Sequence, residues 1–313
     1  MKFYFAPLEG ITGYILRSTY HTHFEAADKY FIPFFTPTYT HKFGNKEMNE
    51  ILPEHNKGMY TVPQILTNNA DDFIWSVKWL QENGYNEVNL NLGCPSKTVV
   101  TKGKGSGFLT ELEELDRFFE KVFQETDAKI SVKTRLGRFD AEEYEEISKI
   151  YNRYPLEEVI LHPRIQEQFY KGIPNYEAYA KAAKESSRPI CYNGDIFSKT
   201  DYAHIIERFP NTEQIMLGRG ILRHPGLIGK LKLDRAVTKE QIKAYHDEIF
   251  AKYKDVLYGD KNVLFKMKEL WFYLGESFED NKKYTKKIKK AEKIWAYEEA
   301  VDQLFANCKL QEY

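Results

Sequence analysis

Long apolar runs are missing from this 313-residue chain. No stretch of about 18 apolar residues occurs, so no membrane span is expected. The opening, MKFYFAPLEG, reaches Pro7, Glu9 and Gly10 too soon for a signal peptide. Cysteine is scarce and odd in number. Cys94, Cys191 and Cys308 stand far apart, which argues against a disulfide framework and for reduced thiols in the cytoplasm. Neither Cys-x-x-Cys nor His-Glu-x-x-His is present, so no metal site is expected. The one close histidine pair, His21-Thr-His23, reads as part of a solvated helix. A Walker phosphate loop is also absent. Net charge is only -1, so total charge does not advertise a nucleic-acid partner. Glycine and proline almost vanish after Thr238, which removes most helix breakers from the last quarter of the chain.

What is present is an alternation of β-rich and helical segments. Strands are expected at 3–7, 29–35, 59–66, 87–92, 129–134, 158–162, 189–192 and 214–217. Helices are expected near 14–22, 71–82, 111–124, 142–151, 176–185 and 199–208. The connection between the second and third strands, with Pro37, Gly44, Pro53 and Gly58, reads as loop. Eight strand–helix units over roughly 230 residues match an α/β fold of the (β/α)8 TIM-barrel type. The reading therefore divides the chain into a barrel over residues 1–235 and a smaller C-terminal helical domain over 236–313.

In such a barrel, chemistry belongs at the C-terminal strand ends. Those ends carry Pro7, Leu8 and Glu9; Gln64; Asn91 and Cys94; Lys133 and Arg135; His162 and Arg164; Asn193, Gly194 and Asp195; and Gly218 and Arg219. Each has a bland reading alone: a lone cysteine is usually an inert small hydrophobe, and Asn-Gly-Asp is an ordinary turn. Their convergence on one end is the signal. Cys94 in particular, between Gly93 and Pro95, sits where a strand gives way to a loop rather than inside an element.

The last two loops fit a phosphate site: Gly194, Gly218 and Gly220 permit close backbone approach and Arg219 adds charge. A phosphate there, a lysine on the fifth strand and a thiol on the fourth suggest flavin mononucleotide. Lys133 and His162 are candidates to sit near the flavin's pyrimidine edge, where a positive group stabilises the reduced ring. Cys94, with an ordinary thiol pKa of roughly 8.5, can serve as a general acid opposite it. The Gly103-Lys-Gly-Ser-Gly107 stretch reads as a flexible, glycine-hinged loop over the site. Between Asn281 and Lys293 lie seven lysines and one acid. Such a run is usually a solvated helix face, but with Lys97, Lys102 and Lys104 it could form an electrostatic footprint for a phosphate backbone.

These motifs resemble the tRNA-dihydrouridine synthase family. APLEGIT (Ala6 to Thr12), VPQIL (Val62 to Leu66), NLNLGCPSK (Asn89 to Lys97), SVKTRLG (Ser131 to Gly137), LHPRIQEQFYKG (Leu161 to Gly172), YNGDI (Tyr192 to Ile196) and LGRG (Leu217 to Gly220) carry the resemblance. It extends into the tail at FKMKELWFYL (Phe265 to Leu274). The resemblance implies FMN bound by Pro7, Leu8, Glu9, Gln64, Lys133, His162, Asn193, Gly194, Asp195, Gly218 and Arg219, with NADPH as hydride source. It implies reduction of the C5=C6 bond of uracil in tRNA, hydride arriving at C6 and Cys94 protonating C5. Asn91, Arg135 and Arg164 would lie near the uracil or its phosphates, and Tyr170 could stack on the base. Lys282, Lys283, Lys286 and Lys287 would meet the tRNA. Three positions depart from the family pattern: Leu8 for a usual methionine, Gly13 for a common aspartate, and His224 for an asparagine.

Three competing readings remain. The barrel could reduce a free pyrimidine-like small molecule, a use that needs no lysine-rich tail. It could be a non-enzymatic RNA-binding module on a retired barrel, against which the presence of Cys94, Lys133 and His162 weighs. It could act on ribosomal rather than transfer RNA. A monomer is the default expectation.

Overall fold

The computed structural model describes all 313 residues. Eight parallel strands close into a barrel in sequence order, β1 next to β8. The first half runs β1 (Lys2–Phe5), α1 (Tyr14–His23), β2 (Lys29–Phe35), α2 (Asn45–Ile51), β3 (Thr61–Ile65), α3 (Ala70–Glu82), β4 (Glu87–Leu92), α4 (Lys97–Val100) and α5 (Leu112–Glu125). The second half runs β5 (Lys129–Gly137), α6 (Glu143–Arg153), β6 (Val159–Ile165), α7 (Tyr176–Glu185), β7 (Ile190–Tyr192), α8 (Lys199–Arg208), β8 (Gln214–Leu217), α9 (Arg219–Arg223) and α10 (Leu227–Leu233). Four helices follow: α11 (Lys239–Val256), α12 (Asp260–Leu274), α13 (Lys282–Lys290) and α14 (Ile294–Asn307). The fold is thus the expected (β/α)8 barrel with helices at its C-terminal end. No helix is long and apolar enough to cross a membrane.

Strand side chains alternate between two apolar environments. Phe3, Phe5, Tyr30, Ile32 and Leu90 point outward and join the shell packed under the helices. Tyr4, Phe31, Val62, Ile160, Cys191 and Met216 point inward and fill the barrel. Cys191 is therefore packing, and burial pushes its thiol far up from the ordinary range. Below that layer, at the N-terminal end, Lys29 Nζ lies 2.8 Å from both Glu87 and Glu158, while the hydroxyls of Tyr4 and Tyr60 donate to Glu158 and Glu87. One ammonium thus holds two buried carboxylates together. Lys29→Met is expected to destabilise the fold by about 3–5 kcal/mol, because both carboxylates lose their cation. That deficit shrinks as pH falls from about 7 to about 5 and Glu158, whose carboxyl burial already pushes up, takes up a proton. Urea unfolding at the two pH values checks this, and an equal deficit at both would contradict it.

The segment read as loop between β2 and β3 contains α2 and a short 3-10 turn, Pro53–His55. Only Ile51 of α2 is buried, so the seven residues carry no readable apolar stripe. This helix also accounts for Gly13. Gly13 caps α1 without a side-chain bond. A Cβ on it would meet Glu50 Oε1 at 2.8 Å, so the Glu50 carboxylate of α2 occupies the space beside that cap and pairs there with Arg17.

The His21–His23 pair does not lie on a free solvated face. His21 Nδ1 meets Tyr30 Oη at 3.0 Å, and His23 Nε2 lies 2.6 Å from Glu248 of α11. Lys252 Nζ donates to Thr19 Oγ1 at 3.0 Å, so α11 is tied along α1. Helix α12 reaches the barrel mouth, where Lys266 Nζ donates to the Gly10 carbonyl at 2.6 Å. The helices are held among themselves by Tyr297, whose hydroxyl accepts from Trp271 Nε1 at 2.8 Å and lies 2.6 Å from His246 Nε2.

Candidate active site

The C-terminal strand ends surround a cavity of about 670 Å³. Most of the expected residues meet there. Pro7, Leu8 and Glu9 follow β1, Gln64 comes from β3, and Asn91 and Cys94 come from β4 and its loop. Lys133 and Arg135 come from β5, His162 from β6, Asn193, Gly194 and Asp195 from the end of β7, and Gly218 and Arg219 from the end of β8. Phe34, Phe169, Tyr170, Phe197 and Tyr273 add aromatic side chains to the wall. Tyr273 belongs to α12, so a C-terminal helix supplies part of the rim.

Cys94 is held by its own turn. Asn91 Oδ1 accepts from the backbone N–H of Gly93 at 3.1 Å and of Cys94 at 2.9 Å. The Cys94 carbonyl in turn accepts from Ser106 Oγ at 2.8 Å and Ser106 N at 3.2 Å. This corrects the reading of residues 103–107. The stretch is no flexible lid: Gly105, Ser106 and Gly107 are buried in a 3-10 turn behind Cys94. A Cβ on Gly105 would lie 2.8 Å from the Cys94 carbonyl and one on Gly107 2.6 Å from that of Val100. These glycines serve close approach, not hinging.

Burial pushes the Cys94 thiol above its ordinary value, and the Ser96 backbone N–H pulls part of the way back. The group is a protonated thiol at neutral pH. Lys133 shows the opposite displacement. Burial, with Arg135 adding to it, pushes its ammonium down to about 8, and no carboxylate balances it. His162 is held neutral by burial and by Arg135, Lys133, Arg164 and Arg219 around it. Its Nε2 lies 2.9 Å from an Arg164 guanidinium nitrogen, which can only donate, so its proton is on Nδ1.

Arg164 does not reach the cavity wall. It is fully buried, grips Asp195 at 2.6 Å and donates to the carbonyls of Lys171 and Gly172. Asp195 also pairs with Arg219. Arg164 therefore anchors the loop after β6 to Asp195, which is why its charge is unavailable to a ligand in the cavity. The loop it anchors carries Phe169, a non-glycine residue at φ 52°, and Tyr170. The Tyr170 ring lies 4.8 Å from the Arg219 guanidinium and 5.5 Å from that of Arg135. Arg135 also braces the Cys94 turn, donating to the Gly93 carbonyl at 2.9 Å.

Lys282, Lys283, Lys286 and Lys287 are exposed on α13, which packs on α12 and α14, and none lines the cavity. Of the loop lysines, only Lys97 does. His224 is buried against the Tyr313 ring at 4.3 Å, and burial pushes it down to about 4. No cluster of three or more His, Cys, Asp or Glu side chains is arranged to hold a metal ion. Reasoning from the sequence passed over Phe34, Phe169 and Phe197, whose aromatic side chains carry no signal distinguishing wall from core.

The dihydrouridine synthase family model matches residues 4–309. A relative from Helicobacter pylori, described as "Probable tRNA-dihydrouridine synthase", is 30% identical over 195 residues, which is 60% of this chain and 57% of its own length. One from Staphylococcus epidermidis with the same description is 28% identical over 71% of this chain and 69% of its own. The match thus spans little more than half of the Helicobacter relative. Among solved structures, the old yellow enzyme homologue from Zymomonas mobilis aligns with a TM-score of 0.56 over 78% of this chain and 92% of that one, at 11% identity. That is a likeness of fold alone.

Proposed function

Because the chain belongs to the dihydrouridine synthase family, we propose that it reduces the C5=C6 bond of specific uridines in tRNA to 5,6-dihydrouridine. The observation that carries the reading is a protonated thiol, Cys94, on the same cavity wall as an unbalanced, half-buried ammonium, Lys133. An ammonium with no carboxylate partner suits an anionic ring, and a thiol poised as an acid suits a carbon that must receive a proton.

The residues fit FMN. The cavity volume falls within the range of about 300–1,000 Å³ usual for such ligands. A Cβ on Gly218 would meet only Ala6 at 3.4 Å and Leu8 at 3.6 Å, so the bare backbone at the end of β8 leaves room for a phosphate to approach closely. Arg219 lies beside it on the same wall. In this proposal Pro7, Leu8, Glu9, Gln64, Lys133, His162, Asn193, Gly194, Asp195, Gly218 and Arg219 hold FMN. Bound FMN, renewed by NADPH, supplies hydride chemistry at uracil C6.

The chain's own residues do the rest. Cys94 Sγ–H gives its proton to C5 and the thiolate recovers one from solvent. Asn91 and Arg135 flank the base. Arg164 acts one layer out, by fixing Asp195 and the Tyr170 loop. The uridine must leave its stack to enter, and Tyr170 offers it a ring face. Residues 1–235 form the catalytic barrel and 236–313 the tRNA-binding helices, with Lys282, Lys283, Lys286 and Lys287 meeting phosphates.

Base-resolved dihydrouridine mapping tests this. Purified protein, NADPH and unmodified bulk RNA should yield reduced uridine at one or two tRNA positions. Signal in ribosomal RNA alone would move the substrate, and no signal from an FMN-loaded, NADPH-oxidising protein would overturn the reading. Exchanging the four α13 lysines for glutamine should weaken RNA binding. It should also make the salt dependence shallower, by about one unit of slope for each phosphate no longer neutralised. Unchanged affinity would mean that this helix face is only solvated.

A further inference from the structure

We propose that Asn89 and Ser131, two residues outside the cavity wall, are positioning residues for the Cys94 thiol. They act through a directional chain of side-chain hydrogen bonds inside the barrel. Asn89 pairs in register with Gln64 on one side and Ser131 on the other, so the three inward side chains form one row. Asn91, two residues on, points inward one layer above. Asn89 Nδ2 donates to Ser131 Oγ at 2.9 Å, Gln64 Nε2 to Asn89 Oδ1 at 2.7 Å, and Asn91 Nδ2 to Gln64 Oε1 at 2.7 Å. Asn91 Oδ1 then receives the Gly93 and Cys94 N–H groups.

The polarity of this chain is dictated from its upper end. Backbone N–H groups only donate, so Asn91 must turn its oxygen toward the Cys94 turn and its NH₂ toward Gln64. Gln64 must then offer oxygen upward and NH₂ downward, and Asn89 must do the same. One reversed amide anywhere would set donor against donor. Ser131, whose oxygen accepts, is the lower terminus that lets the whole chain keep this sense. Asn89 and Ser131 are 0% exposed and lie away from the cavity, so no water replaces the link between them. Asn89 and Ser131 do not line the cavity. They touch neither reacting atoms nor ligand and can affect the thiol only through Gln64 and Asn91.

The test rests on the proposed function for one readout only. The other is alkylation of Cys94 by iodoacetamide, followed by peptide mass from about pH 7 to about pH 10. Cys191 and Cys308 are buried, so the reactive thiol is Cys94. In Asn89→Leu, the broken chain should release the turn. The alkylation profile should move by about 5-fold in rate, and kcat should fall by about 10²-fold with KM little changed. Asn89→Asp should restore both, since a carboxylate accepts from Gln64 Nε2 and from a rotated Ser131 hydroxyl. Folding of each variant is checked by thermal melting. Should Asn89→Leu not fold, Ser131→Ala, which removes one hydroxyl, should show the same changes in smaller measure.

A folded Asn89→Leu with wild-type alkylation and turnover would overturn the proposal. So would an Asp variant as impaired as the Leu variant, which would reduce Asn89 to a packing role. An altered alkylation profile in a protein that reduces no uridine at all would sustain the positioning role and remove the function instead.

Discussion

Cys94→Ala is expected to lose nearly all uridine reduction, a fall of about 10²–10⁴-fold in turnover, while FMN content and RNA affinity stay within about 2-fold of wild type. The loss is confined to chemistry because the turn that presents the thiol is built without it. Asn91 binds the backbone of Gly93 and Cys94, Ser106 binds the Cys94 carbonyl, and Arg135 binds the Gly93 carbonyl. Alanine keeps all of these and lacks only Sγ. Burial holds the thiol's pKa above its ordinary value. A proton donor of that kind is present at neutral pH and lost as pH rises, so the wild-type rate should have an alkaline limb. Cys94→Ser, whose hydroxyl holds its proton far more tightly, should turn over more slowly and lose that limb. Single-turnover kinetics across pH would show both, and an alanine variant as fast as wild type would assign the proton to another group.

Much of the barrel was legible because strands and helices alternate with clear punctuation. The bounds read for β2, β4, β8, α7 and α8 coincide with the structure. The bounds of β5 and β6 fell short for a physical reason. Beyond Thr134 and His162 the strands continue through Arg135 and Arg164, polar residues that look like loop. At the catalytic end of a barrel the inward face is polar, so polarity there does not mean the strand has ended. Helix α2 escaped because one buried residue makes no period. The glycines of 103–107 misled because sequence does not distinguish glycine used for motion from glycine used for close approach.

The candidate wall was readable strand end by strand end, whereas its supports were not. The link from His23 to Glu248 joins residues 225 apart, which no local pattern announces. The role of Arg164 depends on which carboxylate lies opposite it. The Asn89 link is different, since its signal was present: Asn89 and Asn91 are two apart on one strand and must share the inward face with Gln64 on the neighbouring strand. Three amides in one barrel interior have no apolar use, and counting their donors and acceptors would have exposed the chain.

Lys133→Met should produce effects of opposite sign on stability and activity. The ammonium is pushed down from 10.5 to about 8 by burial, with Arg135 adding to it. That displacement is about 3 kcal/mol of unfavourable burial carried by the cofactor-free protein at neutral pH. Between pH about 8 and about 10.5 the folded state has released this proton while the unfolded chain still binds it, so wild-type stability should rise across that window. Methionine, similar in length and uncharged, removes the penalty. Cofactor-free Lys133→Met should therefore melt higher than wild type at neutral pH, and the rise over the window should flatten. Its turnover should fall by at least about 10²-fold, since removing one charge–charge interaction at about 4 Å corresponds to about 4 kcal/mol in a partly buried site. Denaturant unfolding of the cofactor-free proteins at several pH values, beside single-turnover reduction by the loaded ones, separates the two effects. A variant less stable than wild type at neutral pH would mean that Lys133 is paired in the folded protein. One that is stabilised yet fully active would remove the lysine from the chemistry. The expected pairing, more stable and inactive, would identify Lys133 as a charge the fold tolerates for the sake of its ligand.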